Sequence, residues 1–123
     1  MEGATMTGSD LEERVHAINT VNAERRELTL RNFTRETAAV DLAQMSLMHS
    51  GSGAQAAAKL LIAMEYGKPF EFQMLLSLDY ENRAKADLMI EGYLPHDLWP
   101  SRWMSSAGVD GQGLMEKVFD KWK

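Results

Sequence analysis

At 123 residues, with 13 Lys and Arg against 18 Asp and Glu for a formal net charge of −5, the chain has the size of one domain and an acidic balance. It contains no cysteine, which excludes a disulfide scaffold and thiolate metal ligation and fits a reducing compartment. The acidic excess argues against general nucleic-acid binding, which needs concentrated Lys and Arg to neutralise phosphates. It leaves either ordinary solubility or a surface that docks on a basic partner.

The opening MEGATMTGSD lacks a basic start and an apolar core, so no secretory signal is read there and the expected address is cytoplasmic. No apolar run approaches the ~20 residues that span a bilayer, so no membrane partner is expected. Residues 1–8 are predicted to be disordered, and residues 9–123 to form a single helical domain. Ser9 and Glu12 match a capping box. Leu11, Val15, Ile18 and Asn22 share a helical face, predicting a first helix from Asp10 to about Asn22 that would suit pairing with its copy in a homodimer. The following ERRELTLRNFTRE, at 24–36, alternates like a strand over Leu28–Arg31. A lone strand cannot satisfy its backbone, so helix is the expectation. Thr34 then starts a helix from Arg35 to about Met48, with Ala38, Leu42, Met45 and His49 on one face.

Gly51–Trp103 is the stretch around which the chain is expected to be organised. Ser52 is a candidate cap for an alanine-rich helix in which Ala54, Ala57, Ala58, Leu61 and Met64 follow helical spacing. Gly67 and Pro69 stop it. Phe70 and Phe72 flank Glu71 in an extended pattern, and Met74, Leu75, Leu76 and Leu78 form an apolar run too short to assign. Asp79 is read as the cap of a helix to about Glu91, with Tyr80, Ala84, Leu88 and Met89 inward and Gly92 and Pro95 closing it. The two helices are predicted to form a helical hairpin. Met104–Gly113 reads as a loop, and Asp110 or Gly111 opens a last helix carrying Leu114, Val118 and Trp122, with Lys117, Lys121 and Lys123 suiting its dipole.

The Ala-x-x-x-Leu-Leu run ending at Leu61, Tyr66-Gly67, Pro69-Phe70-x-Phe72, Leu75, Leu78-Asp79 and Phe119-x-x-Trp122 form a pattern over about Asp41–Trp122. It resembles a family of short, uncharacterised proteobacterial proteins that also occur in phages and mobile elements. The resemblance implies a bacterial, phage or mobile-element setting and no chemistry. The HDLWPSRW segment at 96–103 departs from the pattern.

His16, His49 and His96 show no zinc-type spacing, so neither a metal nor a cofactor is expected. His96-Asp97 beside the Pro95 turn is the one general-base candidate, with Ser101, Ser105 and Ser106 as nearby hydroxyls. Arg83 and Asp87, one turn apart, read as an intrahelical ion pair. Arg25, Arg26, Arg31 and Arg35 are interleaved with Glu24, Glu27 and Glu36, which reads as a solvated face. In Tyr93–Trp103 the residues Tyr93, His96, Asp97, Trp99, Arg102 and Trp103 concentrate interface residue types on a proline-stiffened segment. The alternative is a connector whose tryptophans roof the core.

The sequence therefore predicts an all-α domain of about five helices with an irregular Pro- and Trp-rich connector at 93–113. The leading functional expectation is a non-enzymatic protein-interaction module. Inhibition of a host defence complex, in the manner of an anti-CRISPR protein, is compatible with a small acidic phage protein. A small hydrolase or ligand-binding protein using His96 and Asp97 is the alternative. DNA binding through the 25–35 arginine segment is the third.

Overall fold

The computed structural model of the chain describes residues 12–21, 23–24, 33–93 and 99–123, and no strand occurs among them. The elements are α1 (12–21), α2 (Arg35–Met48), α3 (Ser52–Tyr66), a 3-10 helix (Phe72–Ser77), α4 (Tyr80–Gly92), α5 (Pro100–Ser106) and α6 (Gly111–Trp122). The all-α class holds. Two elements exceed the expected five, and one of them, α5, lies inside the segment expected to be irregular. The 1–8 tail, residues 25–32 and Pro95 lie outside the described residues. No described helix is long and apolar enough to cross a membrane.

The organising element is α2, not the stretch that follows it. Thr34 caps it by accepting from the Thr37 amide at 3.1 Å, while Thr37 Oγ1 accepts from the Thr34 amide at 3.0 Å. Threonine thus does at the third position what Glu or Gln usually does. Ala38, Ala39, Val40, Leu42, Ala43 and Ser46 are buried. At about 100° per residue these positions sweep over half the helix circumference. The reason is that α3, α4, α5 and α6 all pack on α2. The single expected face is therefore rotated: Met45 is only partly buried and His49 is exposed.

α3 presents Ala54, Ala57, Ala58, Leu61 and Met64 inward as expected. Its start is corrected: Ser52 is the first helical residue, and Gly51 occupies the cap without a side-chain bond. Gly67 ends it in the left-handed region at φ 68°, where glycine carries no Cβ penalty. The extended Phe70–Phe72 pattern is also corrected. The chain coils at Phe72, and the three-residue repeat places Leu75 and Leu78 inward and leaves Leu76 outside. The two phenylalanine rings meet edge to face at 6.1 Å.

Asp79 caps α4 as expected, accepting from the Asn82 amide at 2.8 Å. Ala84, Leu88 and Met89 are buried, whereas Tyr80 is 49% exposed. Gly92 is still helical and has no positive φ; its lack of a side chain makes room for Arg35, whose Nε donates to the Leu88 carbonyl. Arg83 and Asp87 form the expected ion pair at 3.0 Å. Lys85 is buried, with Nζ 3.2 Å from Asp41 on α2 and 4.5 Å from the Phe33 ring centroid. The expected α3–α4 hairpin gives way to two helices that each rest on α2.

The end of α2 is held by the last turn of α6. Lys121 Nζ donates to the carbonyls of Ser46, Leu47 and His49 at 2.9, 3.0 and 2.6 Å, and Trp122 Nε1 donates to Ser46 at 2.8 Å. Lys59 of α3 in turn donates to the Trp122 carbonyl at 2.7 Å. These lysines satisfy helix C-termini, but each serves another helix than its own.

Candidate protein-interaction face

The Pro- and Trp-rich segment resolves into a helix because Pro100 sits at its first position, where no amide hydrogen is needed. Trp99, in the capping position, offers no oxygen for the free amides. Glu65 of α3 supplies it: Oε1 accepts from the Ser101 amide at 2.9 Å and Oε2 from the Ser101 hydroxyl at 2.7 Å. A carboxylate in the last turn of α3 is misplaced for its own dipole and well placed for that of α5.

The two tryptophans expected together are separated. Trp103 is helical and buried at 3% exposure, packed in the core with Met104. Trp99 has an extended backbone, φ −103° and ψ 156°, so it leaves the helical face and remains 40% exposed. Trp103 is thus corrected from a contact residue to a core residue. Trp99 and Arg102 line an open groove of about 530 Å³ together with Glu65, Ser105, Ser106 and Gln112.

Tyr93 reaches the same end of α3. Its hydroxyl donates to the Met64 carbonyl at 3.1 Å, satisfying one of the carbonyls that a helix end leaves free, while its ring stays 39% exposed. Tyr66, at 41% exposure, sets its ring edge-on to Phe119 of α6 at 5.0 Å. The last turn of α3 is therefore ringed by Tyr66, Tyr93 and Trp99. Sequence reasoning named Tyr93 and Trp99 and missed Tyr66 and Glu65.

The field at this end is negative. Burial, and then Glu65, Glu116 and Asp120, push the Tyr66 hydroxyl above its ordinary value of 10.0. The folded chain then holds that proton more tightly than the unfolded chain, so this contribution is complete below pH 10.0 and is lost as pH rises through the folded value. Tyr66→Phe should flatten the alkaline decline of Tm above that pH, leaving the neutral Tm nearly unchanged. An identical decline in the variant would remove Tyr66 from the account.

His96 and Asp97 lie outside the described residues. Of the hydroxyls expected near them, that of Ser101 donates to Glu65, and that of Ser105 accepts from the Gly111 amide at 3.3 Å. Arg35, from the arginine segment, is occupied by the Leu88 carbonyl. Among the described residues no group of three or more His, Asp or Glu side chains is placed to hold a metal ion. Compared with known proteins, the chain matches no family model, no curated protein and no solved structure.

Proposed function

We propose that the chain is a non-enzymatic protein-interaction module whose contact face is the aromatic ring around the end of α3. The observation that carries this reading is Trp99: an indole 40% exposed at the lip of a groove, on a backbone fixed by Pro100 and by the Glu65 cap. Large aromatic side chains held rigid at a surface give contact area at low entropy cost. The resemblance to short proteobacterial and phage proteins adds a setting, in which the partner is a component of a host complex and the chain its inhibitor.

The test is a pull-down from bacterial lysate with the wild type and Trp99→Ala, each checked by circular dichroism. Trp103 is left intact because its loss would open the core. A stoichiometric partner retained by the wild type and lost by a folded Trp99→Ala supports the reading. Equal retention by both, or no partner above the bead control, sinks it.

A further inference from the structure

We propose that the face formed by Tyr66, Tyr93 and Trp99 receives an arginine- or lysine-bearing segment of its protein partner, seated over the last turn of α3. The inference rests on the reading of this face as an interaction surface and adds the chemistry of what it meets.

Three features of different kinds carry the same sign. Aromatic faces attract guanidinium and ammonium groups, and three of them stand about two-fifths exposed here. The turn they surround is the C-terminal end of a 15-residue helix with no basic residue in its last turn, so its partial negative charge is unopposed by its own side chains. Glu116 and Asp120, one turn apart and exposed on α6, add two carboxylates that already act on Tyr66. Glu65 adds its charge as well, with each of its oxygens already accepting one bond from Ser101. Among the described residues that line the groove Arg102 is the one cation, which biases a cationic segment toward α6. The same carboxylates repel a phosphate backbone. A second copy of this acidic chain would bring like charges to the face. A basic protein segment is the occupant that meets every term.

The test uses the full chain and two fluorescein-labelled nonapeptides, one alternating Arg and Gly and one alternating Glu and Gly, followed by anisotropy at about 0.15 M salt, where the Debye length is about 8 Å. The arginine peptide should bind and the glutamate peptide should not. Glu116→Gln/Asp120→Asn, isosteric and at exposed positions, should weaken the arginine peptide about tenfold, as should Trp99→Ala. The control Glu12→Gln/Glu13→Gln makes the same change in net charge on α1 and should leave binding within about twofold. Equal binding of the two peptides, equal loss in the control, or preference for a 20-base-pair DNA duplex overturns the proposal. If the lysate partner still depends on Trp99 while the peptides are not distinguished, the basic chemistry falls and the interaction module stands. If the partner does not depend on Trp99, the module itself falls.

Discussion

Leu42→Ala should lower the stability of the domain by about 2–5 kcal/mol. Leu42 has 0% exposure and sits on the helix against which four others pack. The spread in such costs reflects how far the surroundings relax into the cavity. The core that Leu42 shares is alanine-rich on α3, at Ala56, Ala57 and Ala58, but it also holds Leu61, Met89, Met104 and Met115. The alanines hold the helix backbones close and resist collapse, while the methionines can move part of the way into the void. Urea unfolding followed by circular dichroism gives the number. A cost below about 1 kcal/mol would mean that α2 is not the centre of the fold.

Gly111→Ala is the second large effect, and two opposed terms decide it. Alanine is the better helix former by about 1 kcal/mol in a helix interior, and less at a first position. Against this, a methyl group at Gly111 would collide with the Ser101 carbonyl, a backbone atom of α5 that cannot rotate away. Overpacking of this kind costs about 1–3 kcal/mol or more, and with backbone as the obstacle the upper figure applies. We expect a net loss of about 2 kcal/mol and a weaker hold of α5 on α6. Gly51→Ala is the control, since a Cβ there meets nothing within 4 Å and only the poorer capping by alanine, roughly 0.5–1 kcal/mol, should be lost. If Gly111→Ala stabilises the chain instead, the α5–α6 approach is looser than described.

What was legible in the sequence is what the chain does within a few residues of itself. Thr34, Asp79 and Asp110 bond amides three residues on, and Gly67 turns the backbone at its own position, so the ends of α2, α4, α6 and the C-terminus of α3 could be placed. α5 was missed because its first amide, that of Ser101, is satisfied by Glu65, 36 residues earlier, while Met104–Gly113 has the small, glycine-rich composition of a loop. The role of α2 was missed for a different reason. A helix covered on several sides has no single apolar stripe, and the search for one selected Met45 and His49 over Ser46. Lys85 belongs to the same class, a charge buried where Asp41 and Phe33 come to it from elsewhere in the chain, with Glu81 one turn back on its own helix.

At the candidate site the residue types were legible and their division was not. Trp99 and Trp103 are four apart, which on a continuous helix puts both on one side. The helix begins at Pro100, so Trp99 escapes that register, and only the backbone angles separate a surface indole from a core one. Glu65 did leave a local trace, a carboxylate in a last helical turn where the dipole disfavours it. Such a misplaced acid is worth treating as a pointer to another helix.

The bonds from Lys121 and Trp122 to Ser46 cross 75 and 76 residues of sequence. On the ribosome, α2 emerges long before the side chains that close its end. Until α6 has been made, the carbonyls of Ser46 to His49 have only water, and Leu42 and Ala43 lack part of their cover. Any folding intermediate in which α6 has not yet docked therefore leaves the C-terminal end of the central helix open to water.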